Sequence, residues 1–229
     1  MKTSQKGKIA LAVSEGIADT AYKDTVGVWT IGIGHAETGP GLDPKKYIGK
    51  TMDLDTIFDL FAEDLTKYEQ MVTRNVKVSL EQNEFDALVH FVYNVGEPNF
   101  KKSNLLKNLN AGNKKLAFDK GFHGFLKPPE LRGRRDKERA IALNGNYGGT
   151  VATLFTATTA GKLKTKGTIN LSNHNFGAKP TAALDPVVGP VDETPKVDVN
   201  FGSPTTKTDS TPSLIGSLLA IFAAWVKGK

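Results

Sequence analysis

The stretch from Glu15 to His35, EGIADTAYKDTVGVWTIGIGH, limits what the chain can become more than any other part of it. It opens on a carboxylate, Glu15, at the end of a helix-like run from Lys8 to Ala18. A second carboxylate, Asp24, follows nine residues later, and a hydroxyl, Thr30, six after that. Tyr22 precedes Asp24, Thr25 to Gly27 make a turn, and Val28 to Ile31 read as a β-branched and aromatic strand. Gly32 and Gly34 flank Ile33 where a backbone must bend or be approached closely. A helix end followed directly by a short hairpin brings Glu15, Asp24 and Thr30 toward one groove.

That set of side chains suits glycoside cleavage. One carboxylic acid has to deliver a proton to the departing sugar oxygen. A second has to stay ionised beside the developing positive charge or help activate water, and a small polar group can hold that water.

The words around these three residues resemble the phage-type lysozymes (endolysins), whose mark is a catalytic Glu, Asp and Thr at this spacing. Glu15-Gly16, Ala21-Tyr22-x-Asp24 and Gly27-x-Trp29-Thr30-Ile31-Gly32-x-Gly34-His35 all match. The resemblance implies an α+β, lysozyme-like fold: a small lobe with a β-hairpin, a long linking helix and a mainly helical second lobe, with the groove between. It implies an N-acetylmuramidase that cleaves the β-1,4 bond between N-acetylmuramic acid and N-acetylglucosamine of peptidoglycan. Glu15 would be the general acid, Asp24 the ionised stabiliser and Thr30 the residue that places water. A water-holding Thr favours an inverting course, which needs a carboxylate separation of about 6.5–9.5 Å rather than about 5 Å. A lytic transglycosylase, which cuts the same bond without water, fits Asp24 and Thr30 less well. A non-enzymatic wall-binding or membrane-permeabilising lysis protein, and a virion-mounted lysozyme used at entry, are the alternatives.

Further along, hydrophobic periodicity predicts helices. Residues 3–19 carry Ile9, Ala12, Val13 and Ile17 on one face, and Leu54 to Val72 repeats apolar residues at three- and four-residue steps, with Asp53 or Asp55 as its cap. Ser79 and Gln82 suggest a capping box for a helix that stops at Gly96-Glu97-Pro98, and Lys114 to Lys120 is a short helix. Phe85 to Leu88, Tyr93 to Gly96, and Phe100 with Ser103, Leu105 and Leu106 match the family's central helices. By that resemblance Tyr93, Asn94 and Ser103 contact substrate; a core aromatic, a helix C-cap and a helix N-cap are the plainer readings. His35 reads as structural, paired with an acid such as Asp64, and acid lability relieved in His35→Asn would mark that pair. The segment from Leu131 to Gly145 resembles the family's terminal Arg-rich helix. Most of its charges read as a solvated face, with Arg134 or Arg135 reaching back toward Glu15. The family often has a Trp after the Lys114–Lys120 helix; Gly121 to Phe125 stand there instead, which leaves the part played by His123 open. The resemblance covers Lys8 to Gly145, about two-thirds of the chain.

Composition narrows the partners. There are no cysteines, so disulfides, thiol nucleophiles and Cys-based metal sites are excluded, and four scattered histidines predict no metal and no cofactor. Net charge is +6, which favours the anionic polymers and headgroups of a bacterial envelope. No basic-aromatic platform argues for nucleic acid. The apolar run Ile9 to Val13 is too short for a cleavable secretory signal. A monomer made in the host cytoplasm, acting on the periplasmic wall after membrane permeabilisation, is the expectation.

The sequence divides at 1–148, the lysozyme-like part, and 149–177, a small β-prone extension without an assignable structure. A Pro/Thr-rich linker over 178–212 holds six of the eleven prolines, and an apolar helix over 213–229 closes the chain. As a helix, Leu214 to Val226 would reach about 20 Å, short of the about 30 Å of a membrane core. Membrane contact through 213–229, docking onto the domain and self-association are all open to it.

Overall fold

The computed structural model describes residues 1–127 and 129–177. The linker expected at 178–212 and the apolar helix expected at 213–229 lie outside the described residues. Within them, six helices and a five-stranded sheet form the lysozyme-like α+β fold.

Helix α1 (Gln5–Glu15) starts at Ser4, whose hydroxyl accepts from the Gly7 amide, and ends on Glu15. The sequence expectation carried this helix to residue 19. Gly16 ends it instead, at φ 77° and ψ 173°, a conformation essentially restricted to glycine. The chain turns there into strand β1 (Ile17–Lys23), buried in six of its seven residues. Ile17 faces the main core, while Ala18 and Tyr22 join Phe155 in a second apolar cluster. β1 then pairs antiparallel with β2 (Trp29–Gly32), which pairs with the short β3 (His35–Ala36).

Helix α2 (Leu54–Asn75) is capped by Asp53, whose carboxylate accepts from the Thr56 amide, and buries Ile57, Phe58, Phe61, Leu65 and Val72. Helix α3 (Gln82–Lys102) has its capping box at Glu81 and Glu84, two residues beyond the expected one at Ser79. At Gly96 the helical path breaks (φ 74°, ψ 163°), but the chain resumes as helix to Lys102 rather than stopping. Helices α4 (Asn104–Asn110), α5 (Lys114–Lys120) and α6 (Arg132–Asn144) wrap the Phe91, Phe100, Phe118 and Phe122 rings.

Residues 149–177, unassigned from sequence, extend the sheet. Strands β4 (Val151–Ala157) and β5 (Leu163–Asn170) form a hairpin, and β4 lies parallel to β1, giving the order β3-β2-β1-β4-β5. Beyond β5, Leu171 and Phe176 are fully buried in the same core as α2 and α3. The Phe176 ring lies 4.4 Å from Phe58 and 5.9 Å from Phe61, centroid to centroid. Its backbone is also held by α1: Gln5 Nε2 and Lys8 Nζ both donate to the Phe176 carbonyl.

The segment is therefore part of the cooperative unit. Phe176→Ala should lower the unfolding free energy by about 3–5 kcal/mol in one urea transition. A loss below about 1 kcal/mol would mean that 171–177 adds nothing to the core.

Candidate active site

Glu15 ends α1 with its side chain one-fifth exposed, and Arg134 of α6 meets it through Nη1 at 2.6 Å from Oε1. Arg134 is not on a solvated face. It is buried, and its Nε donates to Glu138 Oε1 at 3.3 Å. Arg135 is fully buried, stacks at 4.8 Å on the Phe91 ring, and donates through Nη1 to Glu138 Oε2 at 2.7 Å. Its other arm bonds Asn94 Oδ1. Two guanidiniums thus face two carboxylates, Glu15 and Glu138, in a largely buried cluster where any unpaired charge would be costly.

His90 of α3 completes the cluster. Its Nδ1 lies 2.9 Å from Glu138 Oε1 and its Nε2 3.2 Å from Ser14 Oγ, one residue before Glu15. Burial, then the Arg134 charge, holds His90 below the usual imidazole range. A carboxylate only accepts, so the neutral ring keeps its proton on Nδ1, and Nε2 accepts from the Ser14 hydroxyl. Glu138 stays low in spite of complete burial, because Arg135, the His90 bond and Arg134 favour its ionised form.

Asp24 sits on the β1–β2 turn. Its Oδ1 accepts from the amides of Val26 and Val28, both at 2.9 Å, which fixes the carboxylate to its own turn. The Asp24 amide in turn donates to Val28 O at 2.9 Å. Thr30 lies across the ladder from Tyr22, and its hydroxyl makes a long bond of 3.3 Å to Val28 O. Burial raises the Tyr22 phenol well above its ordinary range, and the charges of Glu15 and Asp24 push it the same way. Tyr22 thus feels the charge of both carboxylates.

The remaining sequence candidates are placed less uniformly. Tyr93 is half-buried, its hydroxyl donating to Ile33 O at 2.6 Å and its ring 4.7 Å from Tyr68. A Cβ on Gly34 would meet that hydroxyl at 2.6 Å, so the close approach expected there is to Tyr93. Burial raises the phenols of both Tyr68 and Tyr93, and the charge of Glu15 pushes each the same way, after Asp64 for Tyr68 and after Tyr68 for Tyr93. Asn94 is tied to Arg135, and Ser103 caps α4, accepting from the Leu106 amide and donating to Phe100 O. His123 pairs with Asp136 at the surface.

The sequence reading missed Glu138, His90 and Ser14. A signal existed for the first: Arg134, Arg135 and Glu138, at i, i+1 and i+4, fall on one helix face, and the residues between them fall on the other.

His35 is buried, with Nδ1 2.8 Å from Asp64 Oδ2 and Nε2 2.8 Å from Leu42 O. Both partners accept, so the ring is held as imidazolium. Burial opposes that charge, but the hydrogen bond and charge of Asp64 outweigh it and raise the His35 pKa.

The phage lysozyme family model matches residues 12–138, ending before β4. The endolysin of Salmonella phage P22 is 35% identical over 148 residues, which take in 63% of this chain and 99% of that one. A SAR-endolysin of Enterobacteria phage PA-2 is 35% identical over 135 residues, 57% of this chain and 78% of its own. A crystal structure of a mutant P22 lysozyme superposes with a TM-score of 0.57 at 33% identity, over 63% of this chain and 99% of that one.

The His35 shift corrects the sign of the pH expectation. A raised histidine pKa adds stability that is fully present below the unfolded value of about 6.5 and is lost as pH rises through the folded value. Melting temperatures should fall more steeply for wild type than for His35→Asn as pH rises above about 6.5. Parallel curves would remove the pair from the stability account.

Proposed function

The chain belongs to the phage lysozyme family, and from that premise we propose that it is an endolysin hydrolysing the β-1,4 bond between N-acetylmuramic acid and N-acetylglucosamine in peptidoglycan. The observation that carries this reading is the match to the phage lysozyme family over residues 12–138, a span that takes in Glu15, Asp24 and Thr30.

In the proposed mechanism Glu15 gives its proton to the leaving glycosidic oxygen. Arg134 orients that carboxyl, and with Glu138 as its second partner it is held in place whether or not Glu15 carries a proton. Asp24 remains ionised on the opposite side of the bond. Its Oδ1 is committed to the turn amides, which leaves Oδ2 to face the oxocarbenium-like transition state or the water. Thr30, with only a long hydrogen bond to give up, places that water. The attack then comes from the face away from the leaving group and inverts the anomeric centre. Tyr93 lines the groove through its ring edge, since its hydroxyl is engaged.

Glu15→Gln should keep the fold and reduce clearing of chloroform-permeabilised Gram-negative cells by about 10²–10⁴-fold, the usual share of a positioned acid. Clearing equal to wild type would move lytic activity away from this groove.

The place of action follows from the substrate: the wall, reached once the inner membrane is permeabilised. Among the described residues no helix is long and apolar enough to cross a membrane. We assign membrane contact to the apolar stretch 213–229, whose uncharged run from Leu214 to Val226 has Trp225 as its last residue but one and is followed by Lys227 and Lys229, a boundary-type pattern. The full chain should float with anionic phospholipid vesicles and a chain ending at residue 212 should not; equal behaviour would refute the assignment.

A further inference from the structure

Glu15 and Asp24 are joined by Gly16 and the seven residues of β1, so the path of that strand sets where one carboxylate lies relative to the other. β2 supports β1 only in part. The pairing runs through Lys23–Trp29 and Tyr22–Thr30, then is irregular up to Ala18–Gly32, and Asp19 to Ala21 have no regular partner on that side.

The β4–β5 hairpin takes hold on the other edge of the strand, at both ends and in the gap. At the Glu15 end, Ile17 and Ala18 pair with Leu154 and Phe155. The Phe155 ring closes over Gly16, where an added Cβ would fall 2.7 Å from its edge. In the middle, Lys166 Nζ reaches Asp19 Oδ2 at 2.6 Å. Thr20 Oγ1 meets Thr156 Oγ1 at 3.0 Å and Asp19 Oδ1 at 2.8 Å. Thr20 donates to the carboxylate, so Thr156 donates to Thr20. At the Asp24 end, the Lys23 amide donates to Gly161 O at 2.9 Å.

The hairpin turn is built for that last contact. Gly161 has φ 84°, its amide donates to Thr158 O at 2.8 Å, and Thr158 and Lys162 close the loop around it. A Cβ there would strike Lys23 Cγ at 2.8 Å, Lys23 N at 2.9 Å and the Trp29 ring at 3.1 Å. The two terminal anchors each fall next in sequence to a carboxylate, Gly16 after Glu15 and Lys23 before Asp24.

We propose that the β4–β5 hairpin is a splint on β1 that fixes the separation and aim of Glu15 and Asp24. It is a positioning element outside the span matched by the family model. The inference rests on the assignment of those two carboxylates made above. Phe155 and Gly161 are its positioning residues, and neither touches the glycan. Displacement of a reacting group by about 1 Å can cost on the order of 10²-fold in rate. A splint should therefore act on turnover and leave substrate affinity alone.

The test uses the full-length chain on purified Gram-negative sacculi, with Gly161→Ala, Phe155→Leu, the exposed control Val151→Ala, and Glu15→Gln. Rates are taken well below each variant's own melting temperature, so loss of fold cannot enter. The expected result is a fall in kcat of about 10- to 100-fold for Gly161→Ala, a smaller fall for Phe155→Leu, KM within about twofold, and no change for Val151→Ala. If Gly161→Ala does not fold, Phe155→Leu decides alone. Wild-type kcat with only a lower melting temperature would reduce the hairpin to a stabilising addition and overturn the proposal. A raised KM at unchanged kcat would overturn it as well, making the hairpin a glycan-binding surface. Full activity in Glu15→Gln would instead remove the active-site assignment, a failure separate from that of the splint.

Discussion

The contact between Arg134 and Glu138 is the interaction on which the rest of the structure depends. The two residues stand one helical turn apart on α6, and both are buried. Through Arg134 the pair holds Glu15 at the end of α1, and through Glu138 it holds His90 and Arg135. Taking these charges from water would cost several kcal/mol per ion if they were alone. The cluster is viable because two guanidiniums oppose two carboxylates, with a neutral histidine bonded to Glu138. Its use is geometric: the last helix is locked to the first at Glu15, the residue proposed to deliver the proton.

From that fixed point the sheet carries the position outward. Gly16 lets the chain leave α1 immediately after Glu15 and enter β1, and the β1–β2 turn presents Asp24 with one carboxylate oxygen tied to two amides. Tyr93 secures the β2–β3 turn to α3 through Ile33, and His35 with Asp64 secures β3 to α2. The β2–β3 end of the sheet is thus held by hydrogen bonds to two helices that themselves pack in the main core.

Elements set by local periodicity were legible in the sequence. α2 shows its stripe in Ile57, Phe61, Leu65 and Val72, and α5 runs over Lys114–Lys120 as expected. The His35–Asp64 pairing was also legible, since a histidine at the hairpin base needs an acid to face. What failed were features decided by partners far along the chain. β1 looks helical because Ile17 continues the stripe of Ile9 and Val13, and only its pairing with β2 and β4 makes it a strand. The sequence turned Arg134 or Arg135 of α6 toward Glu15, and Arg134 goes there, but nothing local to α6 reveals that His90 lies beneath the same face. Likewise, nothing near Val151 announces that its strand will lie parallel to one 134 residues earlier in the sequence, counting from Ile17 to Val151.

The stereochemistry of the first product reports most directly on the central claim, that Glu15 donates a proton while water placed by Asp24 and Thr30 attacks from the opposite face. Proton NMR of a soluble peptidoglycan oligosaccharide during early turnover would read the new anomeric centre before mutarotation. Appearance of the α-anomer first, as a reducing muramic acid end, is the predicted result. A β-anomer first would mean a covalent or retaining course, and an anhydro end would mean cleavage without water; either would contradict the account.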